Sequence, residues 1–177
     1  MGEKMEWVIT ASIILLGVAT LVIFTMIDNR KNNDIIIKHL QEISHEYHMN
    51  FSKASKEEYD YLIENQQIAI YIRKIIIPSN SSVTINARNT WCLRWGGKRM
   101  GRSYPNMRYM NELVPFLTKD YQDTRRTIKV VLIYPDTEAI LKYLNESELA
   151  IVNPLDNNYG MKVIRFLDFE ESFKEFI

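Results

Sequence analysis

The chain has 177 residues, of which 46% are hydrophobic, with 22 Lys and Arg balanced by 22 Asp and Glu. Zero formal net charge at that apolar content excludes a disordered polyelectrolyte and a globally basic nucleic-acid binder, and it leaves room for one domain with a full hydrophobic core. Cys92 is the only cysteine, which excludes an internal disulfide and agrees with a reducing compartment.

Residues 7–27, WVITASIILLGVATLVIFTMI, carry no charge and are long enough to cross the hydrocarbon layer of a bilayer as one helix. A cleaved signal peptide would have a shorter apolar region followed by a small-x-small cleavage site. Here the chain turns at once to Asp28, Asn29, Arg30 and Lys31, so the segment reads as a retained anchor. Position 6 is Glu, not the Ser or Thr of a myristoylation signal, so the anchor is the helix and not a lipid. Arg30, Lys31 and Lys38 after the span outnumber Lys4 before it, and the positive-inside bias then puts the C-terminal domain in the cytoplasm. The expected organisation is a transmembrane anchor with a juxtamembrane step over residues 1–33, then one cytoplasmic α/β domain over residues 34–177.

Asp34 can cap a helix with Ile36, Leu40, Ile43 and Tyr47 at helical spacing, ending near His48. Ser55 with Glu58 forms a capping-box signature, so a second helix with Tyr59, Leu62 and Ile63 on its apolar side is expected up to about Gln66. Residues 68–77 are rich in branched side chains and read as a buried strand or the tail of that helix, stopped by Pro78. From Val83 the alternation is regular. Val83, Ile85, Ala87, Trp91, Leu93 and Trp95 share one face of an expected strand, and Gly96-Gly97 suits a two-residue hairpin turn. In that register Arg94 would face Arg99 across the ribbon, and two opposed guanidinium groups repel unless an anion lies between them.

Pro105 then fits the first turn of a helix with Met107, Met110, Leu113, Val114 and Leu117, shortened or bent at Pro115. Residues 128–134 form a short apolar run typical of a central strand covered on both faces. Asp136 or Thr137 can cap a helix to about Leu144, residues 149–152 and 161–166 read as strands, and Asp168 with Glu171 opens a last helix carrying Phe169, Phe173 and Phe176. The expected fold class is α/β: one N-terminal transmembrane helix, then one mixed-sheet domain in the order helix, helix, three-stranded meander, helix, strand, helix, strands, helix.

Over residues 91–152, Trp95, the segment SYPNMRYMNELVPFL (residues 103–117) and IKVVLIYPD (residues 128–136) resemble the nuclease-related (NERD) and restriction-endonuclease-like domains. The resemblance implies a sheet scaffold of that kind. Those nucleases hold a divalent metal through an Asp on the second strand and a Glu-x-Lys or Asp-x-Lys on the third. No Asp or Glu occurs between Glu64 and Glu112, so the implied scaffold lacks the hydrolytic site, and no catalytic residue, metal or cofactor is expected.

The same acid-free window holds Arg73, Lys74, Arg88, Arg94, Lys98, Arg99, Arg102 and Arg108, interleaved with Trp91, Trp95, Tyr104 and Tyr109. Positive charge gathered on one hairpin, with aromatic rings beside it, suits the phosphates and bases of nucleic acid or a nucleotide. The competing reading makes the tryptophans core, and the arginines a solvated face or partners of Glu57, Glu58 or Asp123. His45 and His48, with Glu42 and Glu46 nearby, lack the His-Glu-x-x-His spacing of a metal site and read as a solvated helix end. Cys92 among arginines could be a stabilised thiolate, but a strand cysteine is ordinarily inert packing.

The function expected from sequence is a single-pass, membrane-anchored, non-catalytic binding protein. In it Arg88, Arg94, Lys98, Arg99 and Arg102, supported by Trp91 and Trp95, contact an anionic ligand, nucleic acid or a nucleotide phosphate. The alternatives are a structural subunit of a membrane complex, pairing through the anchor with another chain or a second copy, and a degenerate nuclease using carboxylates such as Asp123 or Asp136.

Overall fold

The computed structural model describes residues 2–54, 58–78, 80–96, 106–145 and 147–177, with side chains from Ile13 onward. Two compact units result, Met1–Glu42 and Ile43–Ile177. The long apolar N-terminal helix and the mixed-sheet α/β domain expected from sequence are both present, while several elements within the domain differ from expectation.

Helix α1 runs without a break over Gly2–Glu46, so the polar step at residues 30–33 is helical too. Among the described residues it alone is long and apolar enough to cross a membrane, over Ile13–Glu46. Its Ile13, Leu15, Leu16, Leu21 and Phe24 side chains are all more than 60% exposed. A contiguous apolar sleeve of that kind is an aggregation hazard in water and is ordinary in lipid. Within the described part of the span the Thr20 and Thr25 hydroxyls are satisfied internally, as lipid demands, donating to the Leu16 and Leu21 carbonyls at 2.7 and 2.8 Å.

The second unit contains two five-stranded sheets. Strands β1 (Asn50–Lys53), β2 (Tyr61–Glu64) and β3 (Ile68–Ile76) form an antiparallel meander. Strands β4 (Ser81–Ala87), β5 (Thr90–Trp95) and β6 (Asn106–Tyr109) form a second one. A 3₁₀ turn at Asn111–Leu113 and the short helix α2 (Val114–Thr118) lead to β7 (Arg126–Tyr134), β8 (Ala139–Tyr143), β9 (Leu149–Ile151) and β10 (Met161–Arg165), and helix α3 (Phe169–Lys174) follows. The first sheet has the order β1-β2-β3-β7-β10, the second β6-β5-β4-β8-β9.

The chain passes from one sheet to the other twice in parallel. Strands β3 and β7 pair parallel in the first sheet, and their successors β4 and β8 pair parallel in the second. The two connections are tied together: Ile77 N–H donates to Tyr134 O, and both Glu138 N–H and the Thr137 hydroxyl donate to Ser81 O. Between the sheets lies a core of Ile75, Val131, Ile133 and Val163 against Val83, Ile85, Trp91, Leu93 and Ile140, joined by Leu113, Phe116 and Leu117. The other side of β7 (Ile128, Val130, Leu132) is buried as well, so the expectation of a central strand covered on both faces holds. Phe169, Phe173 and Phe176 are buried as expected, with Tyr47 5.3 Å from the Phe173 ring.

Two expected helices are absent, and a third starts later and is shorter than expected. Instead of a helix up to Gln66 there is β2, in which Tyr61 and Ile63 are buried and Leu62 and Glu64 partly exposed, a period of two stabilised by ladders on both sides; Ser55 lies outside the described residues. The stretch expected as a helix from Pro105 begins, in its described part, as β6, and Pro115 sits in the first turn of α2 instead of bending a longer helix. Residues 139–143 are β8 and not a helix, because Ile140 completes the core opposite Val83 while Leu141 faces Thr84 on the other side.

Candidate functional site

The expected long strand over residues 83–95 folds back on itself at Arg88-Asn89, giving the β4–β5 hairpin. Trp91 pairs with Ile85 and Leu93 with Val83, so these four side chains still share a face after the fold-back. The β5–β6 ladder pairs Trp95 with Asn106 and Arg94 with Met107, in place of the Trp95–Lys98 and Arg94–Arg99 pairs that a two-residue turn at Gly96-Gly97 implies. Gly97 and the other residues up to Pro105, Lys98, Arg99, Arg102 and Tyr104 among them, lie outside the described residues.

Carboxylates from either side of the acid-free window reach most of its described cations. Arg73 Nη1 and Lys74 Nζ lie 3.6 and 3.9 Å from Asp60, which also accepts the Lys74 backbone N–H at 2.8 Å. Arg108 donates to Glu112 at 2.6 Å. Arg88 donates to Asp120 at 2.6 Å and through Nε to Leu117 O at 3.3 Å. Of the acids named from sequence as partners, Glu58 accepts from Lys119 and Asp123 is engaged by Arg125; Glu57 lies outside the described residues.

Arg94 is the exception. It forms no ion pair among the described residues; its Nε is buried with no hydrogen-bond partner, as is that of Arg73, but Arg73 has Asp60 beside it. Across the sheet it stands in a row with Met107, Ser82 and Ala139, and none of these is acidic. A buried guanidinium N–H left unmade costs roughly 1–3 kcal/mol, which an anion reaching it would recover. Trp91 is 1% exposed, and its ring belongs to the core. Trp95 is partly buried against the same core, and Tyr109 is exposed.

Sequence reasoning overlooked Lys129, the one charged residue inside the apolar run of β7. Its Nζ donates to Leu117 O at 3.1 Å and Lys119 O at 2.6 Å, the carbonyls at the C-terminal end of α2, and lies 5.0 Å from the Phe116 ring centre and 5.7 Å from that of Tyr121. Tyr121 stacks on Tyr71 at 4.0 Å, and Tyr59 meets both rings edge-on. A cation there satisfies helix-end carbonyls and the ring faces together. Desolvation, with a smaller contribution from nearby Arg88 and against the opposing pull of Asp120, pushes its pKa down to about 8. The visible signal was a lone lysine in a strand otherwise buried on both faces.

Beside this cluster Arg125 donates to Asp123 through Nε and Nη2 and to Glu64 through Nη1 at 2.8 Å, which holds the Asp123 carboxyl well below the usual carboxylate range. Burial, then the Asp123 charge, pushes the Tyr71 hydroxyl up. Cys92 is buried with its thiol towards Leu93 O, and no group of three or more His, Cys, Asp or Glu able to hold a metal occurs among the described residues. Comparison with protein-family models, with curated proteins and with solved structures finds no match.

Proposed function

We propose that the protein is a membrane-anchored, non-catalytic binding protein whose folded domain contacts a phosphate-bearing anion, nucleic acid or nucleotide, at the Arg94 end of the second sheet. One observation carries this reading: Arg94 is the described cation of the window that no carboxylate reaches. The connection that leaves β5 one residue after Trp95 contains Lys98, Arg99 and Arg102 and no acid, and the Trp95–Asn106 pair fixes both of its ends beside Arg94. Four cations in one short stretch are enough for salt-sensitive phosphate binding. Helix α1 supplies the tether, and the excess of Arg30, Lys31 and Lys38 over Lys4 favours a cytoplasmic domain.

The test is fluorescence anisotropy of a labelled single-stranded oligonucleotide with the full-length protein in nanodiscs of uncharged lipid. Binding that weakens linearly in log–log form as salt rises supports the reading. Absence of binding at low salt removes it.

A further inference from the structure

His48 is where the chain leaves α1. Met49 N–H donates to Ser44 O at 2.8 Å and His48 N–H to His45 O at 3.2 Å, and His48 itself has φ 53°. That closure ordinarily uses glycine, which adopts positive φ without a Cβ penalty. Histidine here costs some conformational free energy that glycine would not.

The imidazole lines an open cleft of about 620 Å³ together with Asn50, Glu64, Gln66, Gln67 and Arg125. The walls are fixed. Asn65 Oδ1 accepts the backbone N–H groups of Gln67 and Ile68 at 2.8 and 2.9 Å, and Arg125 Nη1 holds Glu64 and the Asn65 carbonyl at 2.8 and 3.1 Å. The single guanidinium is outnumbered by the Glu64 and Asp123 carboxylates it binds, so the cleft is unsuited to an anion. Exposed around it are the amides of Asn50, Gln66 and Gln67 and the His48 imidazole, none with a side-chain partner among the described residues.

We infer that this cleft binds an uncharged, hydroxyl-rich ligand of the saccharide class. Amides donate and accept, as hydroxyl groups do, the imidazole nitrogens can hydrogen-bond to hydroxyls, and the second oxygen of Glu64 adds a strong acceptor. The volume falls in the range of small-ligand clefts, about 300–1,000 Å³, but the lining is polar where apolar ligands need hydrophobic walls. Walls held in place before binding spare the cost of ordering them.

The test uses the full-length protein in nanodiscs, with maltose, cellobiose and N,N′-diacetylchitobiose as probes, read by saturation-transfer NMR and titration calorimetry. At least one probe is expected to bind at millimolar concentration with an affinity that salt does not change. His48→Gly should weaken it by about tenfold while the unfolding midpoint stays level or rises. The double variant Gln66→Ala/Gln67→Ala should lose binding without losing stability, and Arg94→Glu should leave saccharide binding intact, which separates this site from the anion site. The inference is overturned if no probe binds the unmodified protein, if His48→Gly binds as well as the parent, or if that variant unfolds more easily.

Discussion

Arg88 and Arg94 belong to one hairpin and read alike in the sequence, yet their surroundings are opposite. Arg88 sits at the turn, where the α2–β7 connection brings Asp120 and the Leu117 carbonyl onto its guanidinium and Lys129 packs beneath the same carbonyl. Arg94 lies near the other end of β5, where the neighbours supplied by β4, β6 and β8 are Ser82, Met107 and Ala139. An acid-free stretch of sequence therefore does not ensure a positive surface. Carboxylates from outside the stretch neutralise the end they can reach, while among the described residues none reaches Arg94 at the other.

The strand that carries Arg94 also carries Trp91, and the largest effect should come from there. Trp91→Ala should cost about 3–5 kcal/mol of stability in urea unfolding, because the ring is fully buried between the sheets. A loss below about 1 kcal/mol would mean that the ring faces solvent and is free to stack on a ligand. Next, Arg94→Glu should weaken oligonucleotide binding at low salt by more than about tenfold, and Arg88→Glu by about threefold or less, since Arg88 is already paired. Equal effects would erase the distinction between the two ends.

The paired end has a pH signature. Lys129 has a folded pKa of about 8 against 10.5 for an ordinary lysine, so between those values the unfolded chain holds more protons and stability rises with pH. Thermal melts should show this rise, and Lys129→Met should reduce it to the part that Lys74, whose pKa burial also lowers, contributes. Tyr71, raised above 10.0, opposes the rise only at the upper end. Asp123 provides the acid limb: with its pKa depressed by Arg125, the stabilisation is present above 3.8 and is lost as pH falls below it. The smallest losses should be in stability at neutral pH, where Arg88→Ala costs less than about 1 kcal/mol for a pair this exposed and Arg94→Ala costs nothing or stabilises, because it removes a buried N–H that has no partner.

Much of the fold was legible where a pattern is local. The apolar run of α1, the branched residues of β3 and β7 and the Phe169, Phe173 and Phe176 spacing each report one element's own burial. The misread segments, residues 55–66, 105–117 and 136–144, have apolar spacings compatible with a helix, and the choice of strand comes from ladder partners distant in sequence: β2 lies between β1 and β3, and β8 between β4 and β9. The hairpin turn was misplaced for a related reason. A fold-back at Arg88-Asn89 leaves Val83, Ile85, Trp91 and Leu93 on one face, so alternation alone cannot tell it from a straight strand.

By itself the sequence determined an uncharged apolar helix at the N-terminus, a domain large enough for its own core, and a cationic stretch without acids, because run length, composition and charge are properties of neighbours in the chain. Which described arginine of that stretch forms no ion pair with the other described residues, that Lys129 caps α2 inside a cage of rings, and that His48 opens onto a polar cleft were decided only in the tertiary structure. Those outcomes depend on Asp120, Leu117 and Glu64, residues that come close only when the strands on either side are paired.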